Sequence, residues 1–239
     1  MAVYTTIDDA SAHFQTTLYT GNGSDDLSIT NGGNSDLQPD LVWIKNRAKG
    51  DKDHILYDSS RGVTKQLHSN NNNAEGTVSG LTDFNSDGFT IDDDGGANTD
   101  GDSHVAWQWK GNAGSTSSVG ASGSGASQIL ASTYQVNTTA GFSIVLYTGT
   151  GEDATVSHGL GAVPDVLLFK KRSTDNWYMY HSANTAAPET DYMTFDTTAA
   201  TTDFDIWNDT APTSTVFSIS NAGVHANTTT MVCWAWREI

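Results

Sequence analysis

The sequence predicts an all-β protein of two tandem antiparallel β-sandwich domains, jelly-roll-like and similar in topology, joined by a Gly/Ser/Ala linker. Three observations predict it. The first is a duplicated strand. Pro39-Asp40-Leu41-Val42-Trp43-Ile44-Lys45-Asn46-Arg47 returns as Pro164-Asp165-Val166-Leu167-Leu168-Phe169-Lys170-Lys171-Arg172. Each copy opens on a proline, which can begin a strand but cannot donate to a central ladder. Each then runs through apolar residues of high strand propensity and turns basic where the chain leaves the sheet. The second is that the flanks recur in order. Leu18-Tyr19-Thr20-Gly21 answers Leu146-Tyr147-Thr148-Gly149, and His54-Ile55-Leu56-Tyr57 answers Trp177-Tyr178-Met179-Tyr180. Each copy closes on paired tryptophans, Trp107 with Trp109 and Trp234 with Trp236. Tyr19 to Trp109 is 90 residues and Tyr147 to Trp236 is 89, so the copies match end to end. Trp43 is expected to superpose on Phe169, and Trp109 on Trp236. The third is composition: 23 glycines, few long charged helix formers, and eight Phe, eight Tyr and seven Trp to bury large area per residue.

In chain order, residues 1–13 are a polar leader without periodicity. The first domain is 14–110. Phe14 to Thr20 alternates as a strand and stops at Gly21-Asn22-Gly23, a turn cluster that tolerates positive φ. Asn31 to Asn34 is a turn, Pro39 to Arg47 the organising strand, and Ala48 to Asp53 an exposed charged loop. His54 to Asp58 is a strand, and Arg61 to His68 reads as a strand in preference to a helical turn. Asn70 to Asn73 is a loop tip. Gly88 to Ile91 is a strand, and the acidic loop Asp92 to Asp102 leads into the tryptophan strand. Six or seven short strands at this spacing suit a sandwich. Residues 111–127, uncharged and built mainly of Gly, Ala, Ser, Thr and Asn, form a flexible connector. The second domain, 128–239, repeats the course.

Charge excludes one class of partner. Up to Lys110 there are 7 basic and 17 acidic residues, and beyond it 4 and 11. Acidity shared by both halves repels phosphate backbones, so no nucleic-acid partner is expected. No apolar run reaches the ~20 residues of a membrane-spanning helix, so no membrane insertion is expected, and the N-terminus does not read as a secretory signal. The single cysteine, Cys233, sits inside the last strand as a packed thiol.

No residue pattern argues for an enzyme. The seven histidines lack ligand spacing, and no nucleophile elbow, phosphate loop or dinucleotide fingerprint appears. His54, Asp58 and Ser59 lie too close on one strand to converge as a triad. Asp92, Asp93, Asp94, Asp100 and Asp102 fail the spacing of a calcium loop and have no acidic counterpart in Ser220 to Thr230, so a solvated loop is favoured over a cation site. No metal or cofactor is expected. The tryptophan pairs, each on one strand face, read as core with one ring of each reaching a rim.

Leu18 to Ser24, Leu37 to Arg47, His54 to Gly62, Ser86 to Thr90, His158 to Gly161 and Trp207 to Thr210 resemble a repeat family of marine and cyanobacterial tailed-phage virion proteins. Tyr4 to Asp9 looks like the start of such proteins. The resemblance implies a tail-fibre-like or structural virion component with a lectin-like jelly-roll sandwich, and it transfers no site residues. The expectation is therefore a protein of the phage particle surface, assembled in the host cytoplasm and attached to capsid or tail proteins. Weak adhesion to a host-surface glycan is an added expectation; the alternative is a free-standing carbohydrate-binding module. A homo-oligomer, taken as a trimer, would multiply weak sites. Loops carry binding in sandwiches because strands are committed to packing. The candidate surface is thus one end formed by Asn31 to Asp36, Ala48 to Asp53 and Asn70 to Asn73. Its binding residues are Lys49, Lys52, Asn70, Asn71, Asn72 and Asn73, with Trp43 or Trp177 for stacking.

Overall fold

The computed structural model describes residues 7–239, so Met1 to Thr6 of the expected leader lie outside the described residues. Two compact units are present, one of residues 1–70 and 75–114, the other of 71–74 and 115–239. Among the described residues the strands pair antiparallel and the helical elements are short 3-10 turns, with one isolated parallel bridge between Ile129 and Thr155.

The first unit contains β1 (Phe14–Thr20), β2 (Leu27–Ile29), β3 (Leu41–Asn46), β4 (His54–Asp58), β5 (Lys65–His68), β6 (Gly76–Thr77), β7 (Leu81–Asn85), β8 (Gly88–Ile91) and β9 (Ser103–Trp109). Six strands form one sheet in the order β1-β9-β3-β4-β5-β6, and three form a second in the order β2-β8-β7. Alternation along each strand decides what the sheets share. Val42, Ile44, Ile55, Tyr57 and Ala106 from the large sheet pack against Ile29, Leu81, Phe89 and Ile91 from the small one. The short β2 and β7 were not legible in the sequence. In β7 a bulge between Leu81 and Asp83 breaks the alternation that would have marked it.

The second unit contains β10 (Ser117–Val119), β11 (Ser132–Asn137), β12 (Phe142–Thr148), β13 (Ala154–Ser157), β14 (Val166–Lys171), β15 (Trp177–His181), β16 (Asp191–Thr194), β17 (Thr202–Asp203), β18 (Val216–Ile219) and β19 (Thr230–Trp236). Its large sheet runs β10-β11-β12-β19-β14-β15-β16-β17, with β13-β18 as the small one. From β12 onward the order repeats that of the first unit, and β10 and β11 are additions on the β12 side. Val145, Tyr147, Leu167, Phe169 and Cys233 build the core with Val156, Phe217 and Ile219. The stretch expected as a featureless connector is ordered where β10 pairs with β11, because its Ser and Val residues meet the ladder of Ser132–Tyr134.

The ladders correct the expected equivalence. Leu41 and Phe14 both face Trp109, while Val166 and Phe142 both face Trp236. Trp43 therefore corresponds to Leu168, and Ile44 to Phe169. The Pro-Asp heads set this register. Asp40 is fully buried, and its carboxylate accepts from Ser59 Oγ (2.6 Å) and from the backbone N–H of Gly111, Ala113 and Gly114 (2.7–2.8 Å). Asp165 does the same with Ser182 Oγ (3.0 Å) and Glu238 N–H (2.7 Å). The motif returns because its aspartate ties down the chain leaving the tryptophan strand. The basic ends are also accounted for. Lys45 Nζ donates to the carbonyls of Lys49 and Lys52, and Lys170 Nζ to those of Lys171 and Ser173. In both cases the ammonium holds the loop that follows the strand.

The tryptophan pairs are not in the core clusters. Ala106 and Gln108, like Cys233 and Ala235, occupy the alternate positions, and the pairs lie on the opposite face. There Trp107 meets Trp43 edge-on (6.3 Å) and Trp109 meets Phe14 (4.9 Å). Trp234, fully buried, stacks on Trp177 (5.5 Å).

Candidate functional site

The antiparallel order separates loops that the sequence placed together. β3 runs from the Trp109 end of β9 to its Ser103 end, so Ala48 to Asp53 emerges beside Thr20 and Ser103. Asn31 to Asp36 lies at the other end, because Gln15 Nε2 donates to Ser35 O and Gln15 Oε1 accepts from Gly33 N–H. The expected single surface is therefore two. The end carrying Ala48 to Asp53 gathers charged and polar side chains into a cleft.

Three segments form that end of the first unit. The 47–53 loop follows β3, β5 ends at His68, and the acidic loop precedes β9. The acidic loop is held by its own carboxylates and by Asn98. Asp94 Oδ1 accepts from Gly96 and Ala97 N–H (2.7 and 3.1 Å), and the buried Asn98 Nδ2 donates to Asn22 Oδ1, Ser24 O and Asp92 O. Asp102 Oδ2 accepts from Asn46 Nδ2 (2.8 Å) and pairs with Lys49 (3.1 Å). The Asn46 bond, then the lysine, hold this carboxyl below the usual range. Among the described residues, no group of three or more His, Cys, Asp and Glu side chains is placed to hold a metal ion.

The cleft, of about 290 Å³, is lined by Asp51, Lys52, Asp53, Gln66, His68 and Asp94, with Ile55 and Gly96 completing the wall. Its polar groups fix one another. Asn70 Nδ2 donates to Asp53 Oδ1 (2.7 Å), and Asp53 Oδ2 lies 3.1 Å from His68 Nδ1. His68 Nε2 lies 3.0 Å from Gln66 Oε1. Gln66 Nε2 donates to Tyr57 Oη (2.7 Å) and Asp94 Oδ2 (3.0 Å). Burial, reinforced by the Asp94 charge, raises the Tyr57 phenol well above its ordinary pKa, so it stays protonated. Gly80 makes room for it, since a Cβ there would sit 1.9 Å from Tyr57 Oη. A Cβ on Gly96 would likewise meet Ile55 Cδ1 at 2.6 Å.

Of the residues singled out from the sequence, Lys52 lines the cleft and Asn70 braces it through Asp53. Lys49 is committed to Asp102. Trp43 stands on the other face of the sheet, half-buried, with Nε1–H donating to His54 Nδ1 (3.1 Å). Trp177 is no stacking platform: it belongs to the second unit and has no exposed surface, and its Nε1–H is bound by Asn71 O (3.0 Å). The asparagine tract is divided, Asn70 going with the first unit and Asn71, Asn72 and Asn73 with the second. There Asn72 O accepts from Asp175 N–H (3.0 Å), and Asn71 Oδ1 accepts from Asn73 N–H (3.1 Å). Asp58, weighed in a triad, is occupied by Arg61, whose Nε lies 2.6 Å from Oδ2.

Gln66 and His68 were missed, while Asp51 and Asp53 entered only as part of the Ala48 to Asp53 loop and Asp94 only as part of the acidic loop. The signal for Gln66 and His68 was present, since two polar residues at i and i+2 of a strand share a face. Nothing local in the sequence connects that face to Asp94, 28 residues from Gln66.

A family model described as a domain of unknown function, DUF7483, matches residues 9–239 and so extends across both units. No curated protein and no solved structure matches the chain.

Proposed function

We propose that this chain, which belongs to the DUF7483 family, is a structural protein of a phage particle surface, attached to capsid or tail proteins, whose first unit adheres weakly to a host-surface glycan. The virion half rests on the motif resemblance. The adhesive half rests on one observation, the mutually fixed polar set of the cleft. A sugar hydroxyl both donates and accepts. Lys52 offers donors, while Asp51, Asp53 and Asp94 offer acceptors, Asp53 held in place by Asn70 and Asp94 by Gln66, with Ile55 as a small apolar contact. Partners already bonded to one another lose little freedom when a ligand arrives. No aromatic face lines the cleft, so a single site is weak and gains from repetition.

A glycan array with the full-length chain, beside Lys52→Ala and Gln66→Ala, tests adhesion. Binding of host polysaccharide that drops at least tenfold in both variants supports it; equal signals from all three proteins overturn it. The virion half is tested separately by mass spectrometry of purified particles, where absence of the chain refutes attachment. A free-standing carbohydrate-binding module remains the second reading, favoured by the same cleft, and would combine glycan binding with absence from particles.

A further inference from the structure

We propose that the outer rim of β1 is a self-pairing site, at which two copies of this chain join edge to edge across a two-fold axis. The inference starts from the ladder. Lys110 N–H donates to His13 O (2.9 Å) and Gly21 N–H to Asp102 O (2.9 Å), one at each end of β1. Antiparallel pairs alternate between hydrogen-bonded and non-bonded, so Gln15, Thr17 and Tyr19 direct their backbone groups at β9. The N–H and C=O groups of Phe14, Thr16, Leu18 and Thr20 therefore point away from the sheet, and no described residue pairs with them. The same four side chains are exposed, Leu18 at 63% and Phe14 at 38%.

The equivalent rim in the second unit is occupied. β12 presents Phe142, Ile144 and Leu146 at the positions of Phe14, Thr16 and Leu18, and β11 pairs with them antiparallel through Asn137, Gln135 and Thr133. Among the described residues, the first unit has no strand in that place. The neighbouring loop does not cover the rim. Gln15 and Thr17 hold Asn31 to Ser35 against the core-facing side of β1, through Gly33, Ser35 and Asn31 itself. That leaves an open groove of about 570 Å³ along Thr16, Leu18, Thr30 and Gly32.

Three features select a second copy as the occupant. Natural edges are guarded by charge, proline or a bulge, and β1 has none of these. In a chain of net charge −17, the run from Ala10 to Ser24 contains no Asp, Glu, Lys or Arg, and Thr30 to Ser35 beside it contains none either. Two acidic copies can thus meet here without facing like charges across the contact. The alternation also closes on itself. With the axis through Thr17, Phe14 lies opposite the partner's Thr20 and Thr16 opposite the partner's Leu18, so outward groups meet only outward groups. Such an isologous contact ends at two copies, so a dimer replaces the trimer expected from the sequence.

Sedimentation velocity of the full-length chain over a concentration series, with amide exchange followed by NMR, tests the proposal. A concentration-dependent dimer is expected. On dimerisation the amides of Phe14, Thr16, Leu18 and Thr20 become protected, while those of Gln15, Thr17 and Tyr19 are protected at every concentration. Leu18→Lys, a change at an exposed position, abolishes the dimer without altering the far-ultraviolet circular dichroism spectrum. A monomer throughout the series overturns the inference. So does a dimer in which the four rim amides still exchange at the monomer rate, or one that Leu18→Lys leaves intact.

Discussion

His225 and Asp40 show how much a single buried polar residue controls in this protein. His225 lies in the second core beside Tyr147, Phe169 and Trp207, with Nδ1 3.0 Å from Tyr147 Oη. Burial depresses its pKa from 6.5 to about 3. Below pH 6.5 the unfolded chain takes up a proton that the folded chain refuses, so stability falls as pH drops towards 3. The slope from this one group approaches ~1.4 kcal/mol per pH unit. His104 and His158, also depressed by burial, act with the same sign. Urea unfolding at a series of pH values is expected to show the fall, and His225→Asn to flatten it; an unchanged slope would place its cause elsewhere. Asp40 works by hydrogen bonding. Asp40→Ala strands the buried Gly111 N–H together with the Ser59 hydroxyl and the amides of the more exposed Ala113 and Gly114, and at ~1–3 kcal/mol for an unsatisfied buried group the loss is expected to be about 3 kcal/mol. Asp165→Ala, which strands one N–H and one hydroxyl in a more exposed setting, is expected to cost less than half of that. Equal unfolding midpoints for the two variants would contradict this account.

At the scale of elements, β5 connects fold and candidate site. Gln66 stands beside Tyr57 because Leu67 pairs with Leu56 and His68 with Ile55. Leu67 is thereby committed to one face of the sheet, and Gln66 and His68 are left to the cleft. The glycine that admits Tyr57 is the sensitive point. Gly80→Ala is expected to displace the phenol, break its bond to Gln66 and weaken the proposed glycan adhesion while leaving the circular dichroism spectrum unchanged. Retained binding would mean that Gln66 needs no support from Tyr57. That the two units share one strand order is legible in the repeat itself, since matched flanks at matched spacing place the same neighbours twice; the order is read only from the ladders. The bulged β7 and the two-residue β6 and β17 carry too few alternating residues to announce themselves.

For the molecule as a whole, the net charge of −17 and a sequence pI near 4.4 are the dominant field. Self-repulsion in the folded state is screened by salt, whose Debye length shrinks from ~30 Å at 0.01 M to ~8 Å at 0.15 M. Thermal unfolding at pH 7 is therefore expected to shift upward by several degrees as sodium chloride rises across that range. A melting temperature that is flat or falling with salt would mean that local pairs such as Lys49–Asp102 and Arg61–Asp58 outweigh the overall repulsion. Such a charge also keeps copies apart except where a surface lacks it, which is the property of β1.

The sequence by itself determined the all-β class, the duplication and the strands that carry it. Alternation, turn residues and a repeated motif are properties of neighbours along the chain, and Pro39-Asp40 and Pro164-Asp165 announce the same local device twice. Only the tertiary structure decided which loops share an end, which face of β9 and β19 holds the tryptophans, and that Trp177 is covered. Those outcomes depend on the direction in which β3 runs against β9 and on which side of each sheet meets its partner sheet. No local pattern records either. The cleft follows the same rule: Gln66 and Asp94 become neighbours only when the acidic loop folds back over β5, held there by Asn98 and by its own carboxylates.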